Sequence, residues 1–283
     1  ASLPTYVSGL IGAPWVNAGA MTNKGVEFTL NTRNILTHDF TWTSGLTFSI
    51  NRNEVTKLYS ESSAISGING NETLTYTMVG EPVGQFYGYK VIGMFKEESD
   101  FYKKDADGNF QLDEAGNRIR IAIPKGQQIS KNGIWVGDYI YEDLHEDGVI
   151  DEKDRTFLGN PAPKFTFGFN NYFAYKGFDL NIFLNGSVGN KAVNLIRRTF
   201  TDPMRNSNLL KEATDIALIG MHDPEVGDEE LSNVYIVNAD RAKVQRVTTS
   251  SANDNNRISS RFIEDASYLR IKNISLGYTF PRK

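Results

Sequence analysis

The chain has 283 residues, a net charge of −4 and a negative mean hydropathy, a size that suits one large β domain or two ordinary ones. No Lys/Arg run of useful density is present, which excludes a nucleic-acid or anionic-membrane electrostatic role. With no cysteine there is no disulfide scaffold, Cys nucleophile or thiolate metal site, and no stretch approaches the roughly 18 uninterrupted apolar residues of a transmembrane helix.

The opening Ala1-Ser2-Leu3-Pro4 carries no basic segment followed by an apolar one, so no export signal is visible and a mature protein or an internal piece is expected. Val26, Phe28 and Leu30 then alternate with polar residues and predict a strand over 24–34. Residues 35–38 form a short connection to a second strand over 39–51. There Phe40, Trp42, Leu46, Phe48 and Ile50 occupy one face, and Thr41, Thr43, Thr47, Ser49 and Asn51 the other. Residues 52–164 form a long excursion containing local β structure over 84–92, with Asp/Asn/Gly-rich turns over 97–130.

Two further strands, 165–175 and 178–188, flank Lys176-Gly177, whose glycine supplies a left-handed turn residue. A second long polar excursion covers 189–263, with a short helix expected from Asn208 to Ile219. The last strand runs from Ser267 to Phe280. Its alternation changes phase between Ile271 and Ile274, which predicts a β-bulge near Asn273. Strands of about 11 residues with one greasy and one wet face have the length a tilted strand needs to cross a bilayer, and short turns opposite long loops are the asymmetry of outer-membrane barrels. The fold class expected is therefore all-β, an antiparallel transmembrane β-barrel with long extracellular loops. Five spans cannot close such a barrel, because the smallest use about eight, so the chain is expected to be one piece of it.

The sharpest local motif runs from Asp143 to Asp154. Numbered as a calcium loop, it offers Asp143, His145, Asp147, the Val149 carbonyl, Asp151 and Asp154 as ligands, with Gly148 at the sharp turn. His145 is a poor ligand for a hard cation, and Asp154 reaches less far than the usual Glu. The alternative is an Asp/Gly-rich turn held by its own side-chain hydrogen bonds. No catalytic constellation assembles: His38, His145 and His222 are scattered, none beside a recognisable nucleophile, so the chain is not expected to be an enzyme. The loop aromatics Phe86, Tyr87, Tyr89, Trp135, Tyr139 and Tyr141 are candidates for contacting substrate or a partner, with packing inside the loops as the alternative.

Four blocks in order carry a family resemblance: Asn23-Lys24-Gly25-Val26-Glu27-Phe28; Gly80-Glu81-Pro82-Val83-Gly84-Gln85-Phe86-Tyr87-Gly88-Tyr89; Gly137-Asp138-Tyr139 leading through Asp143 to Arg155 and Gly159-Asn160-Pro161-Ala162-Pro163-Lys164; and Phe262 to Tyr278. The sequence resembles the SusC-like TonB-dependent transporters of Bacteroidetes outer membranes. That resemblance implies a barrel of about 22 strands plugged by an N-terminal domain, to which residues 1–283 would contribute wall strands and two large extracellular loops, without the plug. It also implies import of glycans or peptides with a SusD-like surface lipoprotein as lid, and energy from the TonB complex through the missing N-terminal part. Outer-membrane lipid and the remainder of the same barrel would be the other partners. A siderophore or cobalamin receptor, and a secreted calcium-stabilised β adhesin, are the alternatives.

Overall fold

The computed structural model describes residues 19–59 and 64–281; the reading placed on Ala1 to Pro4 lies outside them. The chain divides into two compact units. One comprises residues 1–86, 159–192 and 264–283, and the other residues 87–158 and 193–263.

The first unit is built on five long strands: β1 (Gly19–Leu36), β2 (Phe40–Leu58), β3 (Phe165–Tyr175), β4 (Phe178–Val188) and β5 (Tyr268–Tyr278). They form one open sheet in the order β1-β2-β3-β4-β5, every neighbouring pair antiparallel. β2 pairs directly with β3 from Phe40 to Ser49, so the chain returns to the sheet along the side of β2, whose end from Ile50 to Leu58 runs on paired with β1. β3 and β4 have the expected bounds, whereas β1 and β2 are longer than 24–34 and 39–51. Their hairpin continues as a paired ribbon to Gly19 and Leu58, past a bulge at Thr56 that interrupts the alternation read from the sequence.

The first connection is tighter than 35–38. Asn34 is accommodated as a bulge, Ile35 pairs with Trp42, and the turn is fixed by Thr37, whose N–H donates to the Phe40 carbonyl at 2.9 Å while its Oγ1 accepts from the Phe40 N–H at 2.9 Å. At the second turn both residues are left-handed, Lys176 at φ 45° and Gly177 at φ 87°, as a two-residue hairpin with the twist of its strands requires. The expected bulge in β5 is present: Ile271 pairs with Leu184 and Asn273 with Phe183, leaving Lys272 as the extra residue.

The second unit packs around Phe95, Phe101, Ile134, Trp135, Val136, Val234 and Ile236, with the Phe95 and Phe101 rings stacked 4.0 Å apart. The β structure expected over 84–92 is split between the strands Gln85–Tyr89 and Val91–Met94, the latter paired with Tyr139–Tyr141. The helix expected over Asn208–Ile219 shrinks to one 3₁₀ turn, Lys211–Asp215. The α-helix of the excursion is instead Leu195–Phe200, where the Asn194 side chain caps the Arg197 N–H at 2.8 Å.

Within 97–130 the turns have an eight-residue repeat. Asp105 and Asp113 each accept the N–H groups two and four residues on, and Gly108 and Gly116 take left-handed φ values of 86° and 83°. These hydrogen bonds hold both carboxyls below their usual range, led by the backbone N–H of Asn109 for Asp105 and of Asn117 for Asp113. The strand segments between the turns close into a three-fold figure in which the Lys103 N–H donates to Ile119, Ile119 to Gln111 and Gln111 to Lys103.

One buried ion pair joins the two stretches of chain that make the second unit. The Arg246 Nε lies 2.9 Å from Asp138 Oδ1, and the same guanidinium donates to the carbonyls of Lys131 and Gly133 at 2.9 Å each. Asp138 also accepts from the Trp135 N–H and from Asn255 Nδ2, so every group in the cluster is satisfied. Gly137 is needed here, because its φ is 94° and a Cβ would stand 2.7 Å from Arg246 Cβ. Removing one partner of such a pair leaves a buried charge uncompensated, and Arg246→Met is expected to destabilise this unit by about 3–5 kcal/mol. Hydrogen exchange checks this: protection of the amides from Trp135 to Asp138 should collapse in the variant, and unchanged protection would contradict the role given to the pair.

Candidate functional site

The long strands create a sheet whose two faces differ in chemistry along its whole width. One row reads Leu30, Leu46, Phe169, Leu184, Ile271 across β1 to β5, and another reads Ile35, Trp42, Phe173, Leu180, Leu276. Among the described residues nothing covers this face: Val26 is 64% exposed, Ile274 59% and Leu276 74%. Its ends are aromatic. Beside the short turns, Trp42 stacks on Phe173 at 5.7 Å, Phe40 meets Tyr175 edge-on, and Phe178 lies 4.5 Å from Tyr278; at the opposite end Phe48 and Phe165 are 5.3 Å apart. An apolar band between two aromatic belts is the pattern a bilayer selects, since the rings favour the headgroup level. Three polar residues share one row of the band, Thr32, Ser44 and Asn171, and are satisfied locally: Asn171 Oδ1 accepts from Trp42 Nε1 at 3.1 Å and from Ser44 Oγ at 2.8 Å, and Thr32 Oγ1 donates to Asn34 Oδ1 at 2.8 Å.

The other face is polar, with the row Thr29, Thr47, Gly168, Asn185, Arg270. Its aromatics are Tyr172, Phe183 and Tyr268. A Cβ on Gly168 would stand 3.3 Å from the Phe183 ring, so that glycine makes room for the ring, and the Lys272 ammonium lies 5.7 Å above it.

Between the strands Tyr139–Tyr141 and Arg155–Gly159, the acidic loop is closed by its own backbone. Asp154, 1% exposed, accepts from the Leu144 N–H at 2.9 Å with Oδ1 and from the Asp151 N–H at 2.8 Å with Oδ2. Asp143 accepts from Gly148, Asp147 from Val149, and Asp151 from Lys153, completing a capping box at the 3₁₀ turn Glu152–Asp154. His145 Nδ1 is 3.6 Å from Asp154 Oδ1. Asp143 Oδ1 is buried and has no hydrogen-bond partner. Among the described residues, no three histidine or acidic side chains converge as a ready-made metal site. An ion at this loop would need carboxylates that now hold backbone amides to turn toward it.

The candidate aromatics are placed mostly in the interior of their units. Phe86, Trp135, Tyr139 and Tyr141 are buried. Tyr139 donates its hydroxyl to the Lys243 carbonyl at 2.8 Å and Tyr141 to that of Asp254 at 3.1 Å; burial pushes both phenols above their usual range. Tyr87 and Tyr89 are half-buried, with Arg155 5.0 Å above the first ring and Arg257 4.7 Å above the second. Arg257 also lies over Tyr141, and Arg261 over Tyr139. These rings are legible in the sequence, but the arginines that cover them are not, since Arg155, Arg257 and Arg261 all lie far along the chain from the rings they meet.

No family model matches the chain. Over 283 residues it is 31% identical to the TonB-dependent receptor P3 of Formosa agariphila, a match covering 99% of this chain and 23% of that receptor. It is 24% identical over 264 residues to the TonB-dependent receptor SusC of Bacteroides thetaiotaomicron, covering 93% of this chain and 21% of SusC. In structure it is similar to the RagAB peptide transporter, with a TM-score of 0.64, 21% identity, and coverage of 99% of this chain and 25% of that one. The chain thus spans about a quarter of the length of the relatives it matches, all of them receptors or transporters rather than enzymes, and its open sheet has the fold of the corresponding part of a TonB-dependent barrel.

The acidic loop carries a prediction that does not involve an ion. Asp154→Ala removes the acceptor of two buried amides, each worth about 1–3 kcal/mol when left unpaired. Hydrogen exchange of the Leu144 and Asp151 amides should accelerate by at least tenfold; exchange at the wild-type rate would mean that the carboxylate does not hold the loop.

Proposed function

We infer that this relative of SusC-like TonB-dependent receptors supplies wall strands and outer loops to a barrel that imports large nutrients, glycans or peptides, across a bacterial outer membrane. The observation that carries the reading is the uncovered apolar face bounded by two aromatic belts, taken with 31% identity to a TonB-dependent receptor along almost the whole chain. With the short turns facing the periplasm, the segments 59–164 and 189–267 lie outside the cell. The polar face of the sheet then lines the barrel interior. In this reading the free edges of β1 and β5 pair with the rest of the same barrel, because unpaired backbone groups in lipid each cost several kcal/mol. A SusD-like surface lipoprotein closes the outer side, and TonB supplies energy through parts of the protein beyond this chain.

The two faces predict opposite responses to charge. Leu46→Arg places a cation on the apolar face and is expected to cost about 2–4 kcal/mol, whereas Thr47→Arg, one residue on, should be tolerated. Urea unfolding of the full-length barrel in detergent measures both, and equal effects would contradict the lipid-facing assignment. Purification of the native complex in detergent tests the partners. A plug-bearing barrel recovered with a surface lipoprotein supports the importer, while this polypeptide recovered alone and soluble without detergent favours a secreted adhesin.

Calcium is a separate proposal, resting on the ligand spacing from Asp143 to Asp154 and on the unpartnered Asp143 Oδ1. Elemental analysis of the purified complex should then find a calcium ion that disappears in the variant with Asp143 and Asp147 both changed to Asn. A calcium content unchanged by the substitutions would remove the loop from consideration.

A further inference from the structure

At the loop end of β3 and β4, the segments 159–164 and 189–191 exchange side chains across a pair of glycines. Gly159 has φ 148°, and a Cβ there would stand 2.5 Å from Lys191 Cγ; Gly189 has φ 85°, and a Cβ there would stand 2.6 Å from Lys164 Cγ. Each lysine stem therefore lies flat on the other segment's glycine, which holds both ammonium groups near one cavity of about 460 Å³. The charged residues lining that cavity are Arg52, Lys164, Lys191 and Asp265, three cations against one carboxylate.

Asp265 is already committed. It accepts from the Ser267 N–H at 2.7 Å and pairs with Lys191 Nζ at 3.2 Å, and with the Ser267 hydrogen bonds leading, its carboxyl is held down to about 2. Arg52 is anchored through Nη1, which donates to the carbonyls of Asn51, Pro163 and Lys164, and among the described residues its Nε and Nη2 have no partner. The Lys164 ammonium has no partner among the described residues. Asn53 and Asn160, also in the lining, turn Oδ1 to the N–H groups of Val83 and Ala162 at 2.8 Å each and present their amide donors. The cavity thus offers donors and positive charge and hardly any free acceptor.

We propose that this glycine-seated lysine pair and Arg52 form a recognition pocket for an anionic saccharide, a sugar carrying carboxylate or sulfate groups. Such a ligand brings acceptors in its charged groups, and its hydroxyls can turn their lone pairs to these donors with the O–H rotated toward water, whereas a peptide carries fixed backbone N–H groups that need acceptors in place. The assignment to nutrient recognition rests on the importer reading above; the binding chemistry does not.

The test uses the full-length transporter purified with its partner lipoprotein, titrated calorimetrically with an oligogalacturonate and with its fully methyl-esterified form. The charged form should bind at least about tenfold more tightly, as one to two hydrogen bonds to charged groups supply. Lys164→Gln should lose about that factor for the charged form and nothing for the ester. Gly189→Ala should lose as much although the lysine is retained, with heat-modifiable migration on gels reporting that the barrel is folded. Equal binding of both forms, no binding of either, preference for an oligoglutamate of equal charge, or wild-type affinity in both variants would each overturn the pocket. Uptake measured with and without TonB separates the two claims: TonB-dependent import by a complex that does not distinguish the two saccharides sinks only the pocket, and absence of import sinks the transporter reading.

Discussion

The structure depends on the direct pairing of β2 with β3. Two strands separated by a long excursion meet in a fixed register, Phe40 opposite Tyr175 and Ser49 opposite Thr166, and that register decides which face every side chain takes. Because alternation has period two, a slip of one residue would turn the apolar row into the polar one across the whole sheet. Aromatic pairs across the strands at both ends oppose the slip, since Trp42 on Phe173 and Phe48 against Phe165 reward one alignment. Bulges at Thr56 and Asn34 absorb mismatches toward the ends of the first hairpin, and the one at Lys272 resets the phase of β5 in mid-strand.

The same pairing makes large loops tolerable. The chain leaves β2 at Leu58 and comes back to its side at Ser49, and the entropy of closing such a loop grows only slowly with its length. What the loops need is internal structure, and they obtain it from polar clusters more than from long elements. The Asp138–Arg246 pair, the Asx-closed turns at Asp105 and Asp113, and the self-closed Asp143–Asp154 loop all follow one rule: carboxylates are turned onto backbone amides or one guanidinium, so that irregular backbone is satisfied without a sheet.

The strands were legible in the sequence because each is long, alternates strictly and faces two different environments. β3 and β4 have the bounds that alternation predicts, and the phase change between Ile271 and Ile274 gave away the bulge. β1 and β2 ran longer than expected, since a paired ribbon outside the apolar band no longer needs alternation. The loops were legible only where chemistry is local: the turns rich in Asp and Gly could be read, but the helix could not, because Leu195–Phe200 is six residues long and is stabilised by the Asn194 cap and by Arg197 donating to the Arg261 carbonyl. Arginines that cover Tyr89, Tyr139 and Tyr141, and the reciprocal seating of Lys164 and Lys191, join residues distant in sequence, and no spacing rule announces them.

In the membrane reading proposed for this sheet, one face meets lipid and the other water. Residues 1–283 contain no cysteine, so in a full-length barrel with any cysteine elsewhere replaced, single cysteines carrying a nitroxide label can be placed one at a time from Phe165 to Tyr175 in lipid bilayers. Collision with oxygen, which concentrates in lipid, should peak at Phe167, Phe169 and Phe173, and collision with a water-soluble nickel chelate should peak at Thr166, Gly168 and Asn170. Period-two alternation with the two reagents out of phase is the predicted result. Equal access of the water-soluble reagent to every position would contradict it, and with it the membrane-spanning role of all five strands.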